Sequence, residues 1–238
     1  MKLKTVSAIA AALYLTWGVS HGATWEVSVT NLTHGNHFTP LLLTAHSHDT
    51  HLFKVGEAAS TAIEHMAECG HLDPLLATTE VGAADADTIA NPAGGLLAPS
   101  ASTTATLSTS ENHLSIVAMV LPTNDAFVGM ESQHIPDAMG TYTYYLNAYD
   151  AGTEQNDEVL MTSGDCTYTD NGMMPGAPGG DNDTGGTGVA TADSNTMIHI
   201  HRGVLGESEA TGAGKSDLRS TIHRWQNPVA KVTVKVTP

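Results

Sequence analysis

WEVSVTNL, residues 25–32, and PVAKVTVKV, residues 228–236, alternate apolar and polar side chains with a period of two. That period suits a strand with one face buried and one wet, and excludes a helix, whose apolar positions recur at three and four. Between these near-terminal strands lie HLSIVAMVL (113–121), apolar enough for a central strand, and TYTYYLNAY (141–149), rich in β-branched and aromatic residues. Shorter strand candidates are FTPLLLTA (38–45), where Pro40 argues for an edge or bulge, residues 103–109, and MIHIH (197–201). One segment reads differently. Glu57–Glu68 (EAASTAIEHMAE) is rich in Ala and Glu, repeats Ala59, Ile63 and Met66 at helical spacing, and meets Gly70 as a stop. Many short strands, turns and a single helix predict an all-β sandwich. Residues 82–100 read as a loop, and the Gly/Asp-rich stretch at about 171–195 reads as a flexible one.

The first residues carry an export signature. Lys2 and Lys4 precede an apolar run from Val6 to Val19, followed by the small residues Gly18, Ser20, Gly22 and Ala23. The run is too short for a stable membrane span. The expected organisation is a signal peptide over 1–23 and one domain over 24–238, secreted, periplasmic or at the cell surface. The domain's roughly 215 residues suffice for a single hydrophobic core. A formal charge of −16 makes nucleic acid and anionic membrane poor partners and cations plausible ones. Two cysteines, Cys69 and Cys166, in an exported chain predict one long-range disulfide, with two buried free thiols as the alternative.

Several segments in order resemble the spondin (F-spondin) domain family. VSVTNLTHGNHFTPLLLTAH (27–46) is similar to the family's first two strands. FKVGEAASTAIEHMAECG (53–70) is similar to its helix segment, and LPTNDAFVGM (121–130) to the loop after the central strand. NAYDAGTEQNDE (147–158) contains the D-A-G-T-[DE] signature, and MIHIHRGVLG and WQNPVAKVTV match the closing strands. Cys69 and the His-rich stretch 34–51 depart from the pattern. The resemblance implies an antiparallel eight-stranded β-sandwich, C2-like, with one short helix and a calcium site at one end. It implies a non-enzymatic adhesion or recognition role; an extracellular protein or glycan is the candidate partner class, and neither the sequence nor the resemblance names which.

Asp125 and Asp150 match the family's metal-binding aspartates, and Glu154 stands in the place of a third acid. Independently of the resemblance, calcium wants six to eight oxygens from carboxylates, carbonyls and water. Gly152 permits a tight turn that brings Asp150 and Glu154 to one side. The bland alternative is ordinary turn chemistry, in which Asp caps a loop. Asp181 and Asp183 resemble the start of a calcium loop but lack its terminal Glu, and read as loop.

Thirteen histidines raise a second expectation. HSHDTH supplies His46, His48 and His51, while His199 and His201, two apart, share a strand face. Imidazole suits copper and zinc, so an exported copper- or zinc-binding protein is the alternative function. Its competitor is that histidine merely serves as a polar surface residue. The motifs G-x-S-x-G and H-E-x-x-H do not occur, and the chain reads as a non-enzyme.

Overall fold

The computed structural model describes residues 22–81, 87–161, 166, 174–176, 185–190, 194–208 and 214–238. The export signature, apart from its last residues, lies outside the described residues. So do Asp181, Asp183 and most of the Gly/Asp-rich loop.

The alternating segments form the strands they predict. β1 (Ala23–Asn31) buries Trp25, Val27 and Val29 and exposes or half-exposes the residues between. The Leu-rich segment breaks at Pro40 into β2 (His37–Phe38) and β3 (Leu42–His46), because proline cannot donate to the ladder. β4 (Asp87–Ala90) pairs with β3 inside the stretch expected as loop. β5 (Ser102–Thr109) and β6 (His113–Leu121) follow. β7 (Ala126–His134) begins inside the segment 121–130 expected as loop, and it pairs with both β6 and β8 (Gly140–Asp150). Two-residue β9 (His199–Ile200) and β10 (Ala230–Thr237) close the set.

All named pairs are antiparallel, and the path runs β4-β3-β6-β7-β8-β10-β1-β5. β8 makes the corner: Gly140–Leu146 pair with β10 and Asn147–Asp150 with β7. The path curls until its terminal strands β4 and β5 are neighbours, where Asp87 Oδ2 accepts from Ser108 N. The all-β class therefore holds. The ten strands lie on one continuous, nearly closed, barrel-like wall, where an eight-stranded C2-like pair of layers was expected.

The core fills the barrel. Val27, Val29, Leu107, Ile116, Ala118, Val128, Leu146, Val232 and Val234 meet there. β6 is buried along its whole length because its other face is also covered. α1 (Thr61–Cys69) lies over that outer face and packs Ile63, Met66 and Ala67 with Val117 and Phe127. Ser60 caps α1 by accepting from Ile63 N, and Gly70 ends it in the left-handed region at φ 68°. The expected helix start at Glu57 gives way to this cap. Two one-turn helices, α2 (Asp73–Leu76) and α3 (Ser220–His223), complete the elements. Cys69 and Cys166 form the expected disulfide, Cα atoms 5.5 Å apart, across 97 residues.

Gly129 explains why β7 was hard to see. A side chain there would meet Phe53 Cζ at 2.6 Å and Tyr149 Cδ2 at 3.0 Å, so two rings pack against bare backbone. Gly129→Ala should destabilise the fold by about 1–3 kcal/mol through overpacking. Chemical denaturation measures it, and an unchanged midpoint would show that the rings have room to move. Replacing both Cys69 and Cys166 with Ser should cost about 4 kcal/mol in the chain-entropy picture for so long a loop, read by the same denaturation experiment.

Candidate metal centre

The connection 122–125 leaves β6 and delivers Asp125 to the first rung of β7, where Ala126 pairs with Asp150 at the end of β8. Asp125 O accepts from Ala151 N at 3.2 Å, so the ladder itself holds the two aspartates side by side. Asp125 is fully buried. Its Oδ2 accepts from Thr153 N at 2.9 Å and Glu154 N at 3.2 Å, while its buried Oδ1 has no hydrogen-bond partner. Asp150 Oδ1 accepts from Gly152 N at 2.9 Å and Oδ2 from Asn156 Nδ2 at 2.7 Å. Gly152 sits at φ 71°, and a Cβ there would lie 2.6 Å from Thr196 C, so the turn needs glycine twice over. The turn points Glu154 back toward Asp125, and Glu154 Oε2 is also buried without a partner.

A fourth acid comes from α1. Glu68 is only 4 % exposed in the last turn of the helix, where no basic residue accompanies it. A carboxylate at a helix C-terminus opposes the helix dipole. Its hydrogen bond to Thr153 and its electrostatic contact with Asp125 and Glu154 place it in the same cluster. The disulfide of the next residue, Cys69, fixes this end of the helix.

Burial raises Glu154, Asp125 and Glu68 above the ordinary carboxylate range. Glu154 is pushed up to about 9 by burial and then by the charges of Glu68, Asp125 and Asp157. Asp125 is pushed up to about 7 by burial and then by Asp150, and Glu68 to about 7 by burial. Among the described residues, no lysine or arginine forms an ion pair with any of these acids. Such a group of carboxylates must hold either protons or a cation. Among the described residues, no three or more His, Cys, Asp or Glu side chains are arranged, as they stand, to hold a metal ion. The backbone N–H groups now facing Asp125 and Asp150 would share those oxygens with an ion.

The histidines divide between the two ends of β6. His199 Nε2 and His201 Nε2 lie 3.7 and 3.9 Å from Asp150 Oδ2, beside the acids. His201 Nε2 donates to Asn156 Oδ1 and its Nδ1 accepts from Gly203 N, so it orients the turn. His46, His48 and His51 lie at the far end. His46 is buried with both ring nitrogens engaged, Nδ1 donating to Ser47 O and Nε2 accepting from Ser115 Oγ. His51 Nδ1 pairs with Glu131 Oε1. His46 stacks on His113, and His48 comes closer still: its Nδ1 lies 3.3 Å from His113 Nε2.

The Spondin_N family profile matches residues 28–167, more than half of the chain. The chain belongs to the spondin family. No curated protein matches it. The matched region runs from β1 through β8 to Cys166 and contains Glu68, Asp125, Asp150 and Glu154. β10 lies outside the match, although it is hydrogen-bonded between β1 and β8, so the spondin sheet is complete only with this closing strand. Spondin-type domains are extracellular modules not known as enzymes, and no helix among the described residues is long and apolar enough to cross a membrane.

Sequence reasoning named Asp125, Asp150 and Glu154, and the spondin structure brings them together. It missed Glu68. The available signal was an acid in the last turn of an otherwise apolar-faced helix, with no lysine or arginine to answer it.

The raised acids dictate a pH dependence. The folded state prefers them protonated, so their contribution is full below the ordinary carboxylate range and is lost as pH rises through about 7 and about 9. In chelator, the melting temperature should fall between pH 5 and pH 9, and Glu154→Gln should make the decline shallower. Parallel curves for the two proteins would remove Glu154 from the cluster.

Proposed function

We propose that this spondin domain is an exported, non-enzymatic recognition module of the adhesion type that binds one calcium ion through Asp125, Asp150 and Glu154, with Glu68 as a further ligand. The observation that carries the reading is the pair of partnerless, buried oxygens, Asp125 Oδ1 and Glu154 Oε2, in an acidic cluster that no lysine or arginine among the described residues neutralises. Buried carboxylate oxygens normally have hydrogen-bond donors, and two without them suit a ligand that is not a donor. The donor set is hard oxygen, which favours calcium over softer metals. His199 stands close enough to Asp150 to join such a site, but oxygens outnumber nitrogens there.

Recognition is supported by a groove of about 540 Å³ on the β7–β8 face, where Tyr144, Tyr145 and Tyr149 stand with Asn147, Glu131 and Lys54. Tyrosines offer large rigid contact areas, and the interleaved polar groups supply hydrogen bonds to an extracellular protein or glycan.

Calcium at a hundredfold excess over its dissociation constant should stabilise the chelator-treated protein by about 2.7 kcal/mol, a rise of roughly 5–10 °C in melting temperature. Asp125→Asn and Asp150→Asn should abolish most of the shift, and Glu154→Gln should reduce it less, since water replaces a loop side chain more easily. Magnesium should do little, because it holds its own waters and demands tighter geometry. A wild-type protein indifferent to calcium, or a shift equal in Asp125→Asn, would leave the acidic turn as a turn only.

A further inference from the structure

We propose that His48, His113 and His134 form a zinc(II) site at the other end of β6, separate from the carboxylates. Nine residues of strand put the two ends about 26 Å apart. The outer face of β6 is apolar under α1, at Val117, but polar at its start, where His113 and Ser115 lie beyond the helix. Three strands bring histidines to this spot. His46 pairs with His113 across β3–β6, His113 pairs with His134 across β6–β7, and His48 follows β3 by two residues.

The pairing of His113 with His134 depends on a bulge. Ile116 faces Met130 and Leu114 faces Gln133, so Glu131 and Ser132 together oppose Ser115. Ser132 takes φ 40°, and its N–H donates to Ser115 Oγ at 2.9 Å. Without the extra residue the register would set Gln133 opposite His113. The bulge therefore exchanges a glutamine for a histidine at the one position that borders two others. His113 and His134 have ring centroids 5.3 Å apart, and His113 and His48 5.0 Å.

The ring of His113 is set for coordination. Its Nδ1 donates to Asn112 Oδ1 at 2.7 Å, which fixes the tautomer and leaves the lone pair on Nε2. This is the arrangement of metal-bound imidazoles, whose second nitrogen is held by an acceptor. That lone pair faces His48 Nδ1 at 3.3 Å. Two nitrogens 2.0–2.1 Å from one ion and 3.3 Å from each other subtend about 107° at it, close to the tetrahedral angle. That spacing suits the tetrahedral preference of zinc. His134, exposed and edge-on to His113, must turn its ring in to become the third ligand, since no three such side chains among the described residues reach one ion as they stand, and water is the fourth. Burial and the surrounding histidines hold His113 below the usual histidine range, which keeps it an unprotonated donor. Glu131, held by His51, adds negative charge nearby. His46 is not a ligand, since its nitrogens already bind Ser47 and Ser115.

The test uses untagged full-length protein exported by its host, stripped with chelator, kept in saturating calcium and titrated with zinc against a chromophoric competitor. One zinc per chain is expected. His48→Asn and His134→Asn, both at exposed positions, should each lower affinity tenfold or more while leaving the melting temperature without zinc unchanged. His199→Asn should bind as wild type. Cobalt(II) should give the intense visible bands of four-coordination in wild type and lose them in His48→Asn. Substoichiometric zinc, wild-type affinity in either His48→Asn or His134→Asn, or loss in His199→Asn would overturn the proposal. Because calcium is present throughout, failure here leaves the carboxylate reading standing, and failure of that reading leaves this one testable.

Discussion

β6 is apolar on both faces, and much of the molecule follows from covering it. Its even-numbered residues Leu114, Ile116, Ala118 and Val120 enter the barrel core, so the wall must curl around them. Val117, on the other face, needs a second layer, and α1 supplies it with Ile63, Met66 and Ala67. Burying Ile63 and Met66 contributes about 1.5–3 kcal/mol apiece, together more than the helix gains from its cap alone. The helix is short, so packing rather than propensity holds it. Where it ends is then of consequence. Its last turn reaches the loop leaving β6, and Glu68 arrives beside Asp125 as a result of hydrophobic cover, not of any local preference for acids to meet.

The acidic cluster is therefore imposed by the fold and opposed by electrostatics. Four carboxylates in one buried place would repel, and burial penalises each charge separately. Backbone N–H groups answer some of the oxygens: Thr153 and Glu154 donate to Asp125, and Gly152 to Asp150. A contrasting acid shows what full satisfaction looks like. Glu158, buried where Glu154 is half-buried, receives Leu205 N, Gly206 N and Ser216 Oγ and ties distant loops together. Glu158 has donors on both oxygens and is a structural strut, whereas Asp125 and Glu154 each keep one oxygen bare. The difference between these neighbours, four residues apart in Glu154 and Glu158, is what separates a candidate ligand from a buried brace.

The sequence made the outer frame legible and hid what depends on pairing. β1 and β10 follow from simple alternation, β6 from unbroken hydrophobicity, and the end of α1 from Gly70, because each signal is local. β7 gives no local strand signal, because Gly129 and the polar run Glu131–His134 break both periodic templates. The glycine is needed by Phe53 and Tyr149, which are remote in sequence. β4 was missed because four half-exposed residues carry no period strong enough to see. Asp125, Asp150 and Glu154 were found through the spondin resemblance and the turn chemistry of Gly152. Glu68 and the pairing of His113 with His134 were not, since one requires knowing where a helix end lands and the other the register across a bulge. The choice between disulfide and free thiols likewise waited on the fold, which sets Cys69 and Cys166 within bonding distance.

The two aspartates and the two glutamates of the cluster differ in how they are held, and the difference bears on which cation suits them. Asp125 and Asp150 are flanked by a ladder pair and a backbone hydrogen bond, so their separation is fixed before any ligand arrives. Repulsion between them cannot relax by moving apart without breaking β7 from β8. Glu154 stands on a turn and Glu68 at a helix end, each with a longer side chain, so these can adjust by a rotamer change. A rigid pair with two adjustable arms accommodates the long, variable oxygen distances of calcium and fits poorly the tight octahedron of magnesium. The fixed half of the site needs no ordering on binding, which limits the entropy lost, while the movable half lets the shell close around an ion of larger radius.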